Sequence, residues 1–351
     1  MGGSALADLG GCHAGGGTVV TVRVALDLDG SLESLTNSMG ELASALRERD
    51  DLELRPFRSR TTSHTPDVLS LRGRRLLAPL WRRSMGPSID RQLGAVDLVH
   101  VAGVLTPPTK HLPLLISVDD LRPFRDDAKT QQHLHQLQRA LERGARIVAS
   151  SRTAAHEVQD VLGLAREQFA VVRPPVGSVG RTTDGKRLVI NVTGQVDRFL
   201  FLAPTFTAFA QRQGADMVVV GSSALATRLR ADNVPATFLH RSHATQAIAQ
   251  ARVVVNMTDG ARFPAFAIAA LAAGVPTMAR ATEINRELLN GAALLVEDDE
   301  DITPMMESLW DDAARRAIAI AAGLDRAHDF APREVAAVYA SLYHDVARSF
   351  R

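Results

Sequence analysis

Residues able to do chemistry are sparse in this chain and gather in a few short stretches. His133 and His135 stand two apart in a helical pattern, so they face different ways and cannot meet at one metal ion. No cysteine cluster lies near them, and no metal site is expected. His240 and His243 flank Arg241 in a turn and read as surface residues. Ser70 to Ser84 carries Arg72, Arg74, Arg75, Arg82 and Arg83 without an acid, set among Leu71, Leu76, Leu77, Leu80 and Trp81. Such a segment either lies on anionic lipid or is a surface helix whose leucines belong to the core. No aromatic interleaving or recognisable module accompanies the arginines, so nucleic acid is not an expected partner. The most distinctive stretch is Asp259-Gly-Ala-Arg-Phe-Pro-Ala-Phe-Ala-Ile-Ala-Ala-Leu-Ala-Ala-Gly-Val-Pro276, a loop with one cation, Arg262, feeding an alanine-rich helix.

The elements that must position these residues follow from composition and pattern. A chain of 351 residues suits two domains of ordinary size. A net charge of +1 exerts no global pull on nucleic acid or anionic membrane, so any such attraction must be local. The single cysteine, Cys12, excludes an intramolecular disulfide and fits a reducing cytoplasm. Residues 1–18 are glycine-rich, with no basic start or apolar core of a signal peptide, and read as a flexible extension. The most apolar run, Phe263 to Ala279, is interrupted by Pro264, Gly274 and Pro276; a span needs roughly 20 apolar residues, so none is expected.

Short β-branched runs alternate with longer helical patterns, which predicts βαβ units on parallel sheets. Strands are expected at Val19 to Leu28, Leu52 to Phe57, Val96 to Val101, Leu114 to Val118, Ile147 to Ser150 and Phe169 to Val172. Helices are expected at Leu35 to Arg49, Asp126 to Gly144 and Thr153 to Leu162. Gly177 to Lys186 has no apolar periodicity and suits a hinge. A second set begins with a strand at Leu188 to Val192 and a helix at Leu202 to Gln213. It continues through strands at Met217 to Val220, Ala236 to Leu239 and Val253 to Asn256, and closes with helices at Asp311 to Ala322 and Arg333 to Arg348. The implied organisation is an N-terminal α/β domain (19–176), a hinge (177–187), a C-terminal α/β domain (188–330) and a last helix (331–351).

With those units in place, the chain from about Val19 onward resembles the family 4 glycosyltransferases of the GT-B fold. Ile116-Ser-Val-Asp-Asp-Leu121 sits where the family has a strand ending in His-Asp-Leu. Ile147-Val-Ala-Ser-Ser151, Val172-Arg-Pro-Pro-Val176 and Val192-Thr-Gly-Gln195 through Thr207-Ala-Phe209 match further blocks. Glu287-Leu-Leu-Asn-Gly-Ala-Ala-Leu-Leu-Val296 is similar to the family's Glu-Val-Val-Gly-Asp-Ala-Ala-Leu-Leu-Val. In the stretch ending at Pro276, Phe263 and Ala270 to Pro276 match, but the family's two glutamates fall on Ala261 and Ala269.

The resemblance implies two Rossmann-like domains with a cleft between them and a C-terminal crossover helix. It also implies transfer of a sugar from a nucleotide-sugar donor to a glycan or lipid-linked acceptor, without a metal or other cofactor. A departing diphosphate gathers negative charge, which cations, oriented amides and a helix N-terminus stabilise. The family's arginine and lysine for that task are Gln195 and Leu200 here, and its first-domain histidine is Asp119. Gly194 and Gln195 would still face the donor, as would Phe263, Ala269 and the turn at Gly30. Arg198 and Arg262 either replace the lost cations or are solvated loop arginines. Glu287 either neighbours the donor or caps the next helix. Asp119 would orient an acceptor hydroxyl or take its proton. The same losses leave a second expectation open: a catalytically inactive protein of this shape that binds a partner.

Overall fold

The computed structural model describes residues 21–29, 33–59, 61, 65–83, 85–103, 106–118, 128–164, 168–180, 185–258 and 262–350. The first unit runs β1 (Val22–Asp27), α1 (Glu33–Leu46), β2 (Leu52–Arg58), β3 (Leu69–Ser70), α2 (Arg74–Arg82), α3 (Asp90–Leu93), β4 (Leu98–Ala102), β5 (Leu114–Val118), α4 (Ala128–Glu142), β6 (Arg146–Ala149), α5 (Arg152–Leu162) and β7 (Phe169–Val171). The second runs β8 (Arg187–Thr193), α6 (Val196–Gln213), β9 (Asp216–Gly221), α7 (Ser223–Ala231), β10 (Thr237–His240), α8 (Ala244–Ala249), β11 (Ala251–Thr258), α9 (Ala265–Ala272), β12 (Thr277–Arg280), α10 (Glu283–Leu289), β13 (Leu294–Val296), α11 (Ile302–Asp311) and α12 (Ala313–His328). A final helix, α13 (Pro332–Ser349), follows.

Among the described residues there are two parallel sheets, ordered β3-β2-β1-β4-β5-β6-β7 and β10-β9-β8-β11-β12-β13. In each, the order reverses beside the unit's first strand, at β1/β4 and at β8/β11. That reversal splays the following loops apart and opens a crevice at the carboxyl ends of the strands. Strand β8 buries apolar residues on both faces because helices cover both. Leu188, Ile190 and Val192 join one core cluster, with Phe199, Phe206 and Phe209 of α6. Val189 joins another, beneath α8 and α9.

Three differences from the sequence reading have physical causes. Helix α6 starts at Val196, six residues before the expected Leu202, because Phe199 and Leu202 already belong to its buried stripe. Helix α11 was not anticipated; its acidic approach at 297–301 resembles a loop, while Met306, Leu309 and Trp310 fill the core. Helix α12 begins at Ala313, where the Asp312 carboxylate accepts from the Arg315 amide at 2.9 Å.

Helix α13 returns to the first unit and packs along α1. Val335, Ala336, Tyr339, Tyr343 and Val346 share one apolar cluster with Leu42, Ala43 and Leu46. Beneath them the fully buried His100 bridges helix and sheet. Its Nδ1 lies 2.7 Å from the Tyr343 hydroxyl and its Nε2 2.8 Å from the Ser117 hydroxyl. Burial pushes the imidazole pKa down to about 3, so the ring is neutral. The units are also tied by the Val176 amide donating to the Phe330 carbonyl at 2.9 Å and by an Arg173–Asp329 ion pair at 2.8 Å. Among the described residues no helix is long and apolar enough to cross a membrane.

Candidate functional site

A cavity of about 480 Å³ lies between the two units, a volume ordinary for a small-molecule site. Its floor is the carboxyl end of β8, where Asn191 and Thr193 face it. One wall is the turn after β10, with His240, Arg241 and Ser242. The opposite wall is Arg262, Phe263 and Pro264, leading into Ala265, Phe266 and Ala269 of α9. Ser38 and Glu41 of α1 reach in from the first unit, and the chain passing between the units contributes Pro175 to Gly177.

Local sequence explains this shape. Pro264 caps α9 with φ −84° and ψ 54°, and its ring carries no donor, while the Ala265 amide turns back to the Phe263 carbonyl at 2.9 Å. The next amides, of Phe266 and Ala267, have no acceptor within the helix and meet the positive end of its dipole. Phe263 is buried and packs against Phe330, ring centres 5.9 Å apart, which anchors the loop to the end of the second unit. Two half-buried guanidinium groups, Arg241 and Arg262, thus stand near a helix N-terminus, an arrangement suited to an anion. Across from them, the Glu41 carboxyl lies against Gly177. Burial raises its pKa, and the Gly177 amide, hydrogen-bonded to it, partly offsets that.

A second polar group sits at the reversal point of the first sheet. Asp29 accepts from Arg58 at 2.8 Å, from the Thr61 amide at 2.7 Å and from the Thr61 hydroxyl at 2.6 Å. Asp27 accepts from the Asp29 and Ser59 amides at 2.9 and 3.2 Å. It is fully buried, and desolvation drives its carboxyl up to about 7.

The residues singled out from sequence are placed as follows. Arg262, Phe263 and Ala269 line the cavity. Gly194, at φ 80°, and Gln195, the cap of α6, continue from the floor strand but are not among its lining residues. Arg198 turns away: its Nη2 donates to Asp299 at 2.6 Å, and Arg280 holds the same carboxylate at 2.9 Å. Glu287 caps a helix of the other unit, accepting from the Arg152 and Thr153 amides and the Thr153 hydroxyl, each at 2.8 Å. Gly30, Asp119 and Ala261 lie outside the described residues.

The sequence reading took His240 for a surface residue and gave Arg241 no role; His240 is indeed exposed, and both line the cavity. Their position at the carboxyl end of β10 was the available signal, since ligands of open α/β sheets sit at that edge. Along the basic segment, Leu71 and Trp81 are fully buried while Leu76 is 81% exposed, so the leucines divide between core and surface.

No protein-family profile matches the sequence, and no curated protein matches it. Solved structures do. The chain is similar to a sucrose-phosphate synthase from Thermosynechococcus elongatus, with TM-score 0.69 and 15% identity over 93% of this chain and 100% of that one. It is similar to HepE from Anabaena in complex with UDP and glucose, with TM-score 0.67 and 14% identity over 92% and 100%. It is also similar to WaaG, a glycosyltransferase involved in lipopolysaccharide biosynthesis, with TM-score 0.65 and 13% identity over 91% and 99%. Such distant identities speak to architecture, and with the two sheets and the returning helix they establish that this chain has the GT-B fold.

Proposed function

We propose that the protein is a glycosyltransferase of the family 4 type, moving a sugar from a nucleotide-sugar donor to a glycan or lipid-linked acceptor. The observation that carries this reading is the cavity between the units, where Arg241, Arg262 and the N-terminus of α9 converge on one volume. A nucleoside diphosphate needs such a combination: cations for its charge, amides for its oxygens and an apolar wall for its base. HepE, a neighbour in fold, has been crystallised with UDP-glucose. The acceptor would enter from the first unit, near Glu41 and the reversal point of the first sheet, with Asp119 as the acid that orients it.

Calorimetric titration with UDP-, GDP- and ADP-sugars tests the donor site. At 100 times its Kd, a ligand of the folded state stabilises by about 2.7 kcal/mol, a shift that melting also reads. Absence of binding with every donor would reject the reading. A second reading, a catalytically inactive binding protein of the same shape, draws support from the first turn of α9, which carries no acid. Nucleotide binding without sugar transfer or donor hydrolysis would favour it.

Contact with a membrane surface belongs to this proposal as the route to a lipid-linked acceptor. Leu76, Leu80 and Met85 are exposed beside the exposed Arg72 and Arg83. Cosedimentation with phosphatidylserine vesicles, lost in Leu76→Glu, is the expected result; equal sedimentation of both proteins would remove the membrane from the proposal.

A further inference from the structure

One face of the second sheet changes chemistry as it approaches the cavity. Along β8 that face presents Val189, Asn191 and Thr193, in register with Val254, Asn256 and Thr258 of β11. Val189 and Val254 belong to the apolar cluster beneath α8 and α9. Two residues further along, valine gives way to a pair of amides. Asn191 is 4% exposed and Asn256 fully buried, and the Asn191 Nδ2 donates to the Asn256 Oδ1 at 2.7 Å. The remaining amide nitrogen of Asn256 is buried without a hydrogen-bond partner.

Such an arrangement lowers stability, because a buried donor left unmade loses its water without replacement. A second pair of valines would extend the apolar cluster without that loss. The amides stand where the sheet order reverses, and Asn191 lines the cavity floor. Buried polar groups that break the local pattern at such a place mark a site that serves a ligand.

We propose that Asn191 and Asn256 are a ligand-reading pair: Asn191 hydrogen-bonds a hydroxyl of the bound sugar nucleotide, and Asn256 sets the orientation of the Asn191 amide. This inference rests on the nucleotide-sugar reading of the cavity. With its nitrogen engaged by Asn256, Asn191 offers its oxygen, an acceptor, to the cavity. A diphosphate oxygen carries no proton to give, whereas a hydroxyl of the ribose or of the transferred sugar does. The arginines and the α9 N-terminus then take the anionic part of the ligand. Asn256 touches no ligand and is a positioning residue.

The test is the double variant Asn191→Leu with Asn256→Leu, examined by melting and by titration with UDP-glucose, GDP-mannose, ADP-glucose and the corresponding diphosphates. The expected outcome is a melting temperature at or above that of the parent, together with about tenfold weaker binding of whichever donor the parent binds. Loss confined to the sugar nucleotide assigns the hydroxyl to the transferred sugar; loss shared with the diphosphate assigns it to the ribose. Lower melting with weaker binding would mark the pair as structural and overturn the proposal. Unchanged affinity would overturn it too, with the nucleotide reading intact. Should the double variant not fold, Asn191→Ala removes the cavity-facing amide alone, with the same tenfold loss expected and unchanged affinity decisive against it. A parent that binds none of the six probes rejects the nucleotide reading, and the amide pair with it.

Discussion

Removing the Glu287 carboxylate should loosen the two units of the fold at one identifiable place. Within α5, the amides of Arg152, Thr153 and Ala154 have no intrahelical acceptor. Ser151 satisfies one, its Oγ accepting from Ala154 at 2.9 Å, while its carbonyl takes the first helical bond, from Ala155 at 2.9 Å. Glu287, in the other unit, accepts from the remaining two at 2.8 Å each, and from the Thr153 hydroxyl. Arg326 braces the far side of that contact, donating to the Glu287 and Leu288 carbonyls at 2.9 and 2.8 Å. Burial would raise the Glu287 carboxyl, but the two amides and the hydroxyl outweigh it and hold the group below its ordinary pKa.

A charged hydrogen bond contributes roughly 1.5–3 kcal/mol. Glu287 is half-exposed, so solvent screening discounts its three bonds to about that sum in total. Glu287→Ala should therefore shift opening at this contact about 10- to 100-fold. Hydrogen exchange at the Arg152 and Thr153 amides measures it, with Ile116 of the central first sheet as the control that should not change. Glu287→Gln should fall between, because one amide oxygen still accepts while its NH2 opposes a donor. Because the folded pKa is depressed, the clasp is fully present above the unfolded value of about 4.3 and is lost as pH falls through the folded one. Unchanged exchange at residues 152 and 153 in Glu287→Ala would refute the account.

Arg241→Ala and Arg262→Ala should each weaken nucleotide binding about tenfold or more, while Arg198→Ala should have a smaller effect because that side chain is tied to Asp299; calorimetry decides, and equal losses at all three would contradict the assignment. His100 and Asp27 should oppose each other in acid. The buried neutral histidine loses stability by about 1.4 kcal/mol per pH unit as pH falls from about 6.5 toward 3, whereas Asp27, raised to about 7, gains as much from 7 down to about 3.9. Asp27→Asn should thus unmask a steep acid loss in urea unfolding that the parent lacks, and parallel profiles would count against the pair. Asp119→Asn should abolish sugar transfer and leave nucleotide affinity intact or improved, since the negative charge proposed to face the bound donor is removed; unchanged transfer would dismiss Asp119.

The doubled βαβ pattern was legible in the sequence because it is local. Strands such as Leu114–Val118 and Arg146–Ala149 announce themselves by short β-branched runs. Phe263 and Ala269, which line the cavity, were picked out by their place in a short motif, and Arg262 as the lone cation of the loop before α9. What the motif lacked was equally visible, as alanine and glutamine where charges were expected.

Which polar groups share one volume was not legible. Arg241 and Arg262 lie 21 positions apart in sequence, on different loops, and meet only because β10 and β11 end at the same edge of one sheet. Asn191 and Asn256 look like two unremarkable strand residues until parallel register sets them opposite each other. Glu287 could have capped its own neighbourhood; the approach of the two units gave it the first turn of α5 instead. Periodicity, turn chemistry and propensity act between near neighbours, so sequence by itself determined the elements and their order. Register, domain approach and burial act between residues far apart in the chain, and those decided which side chains form a site.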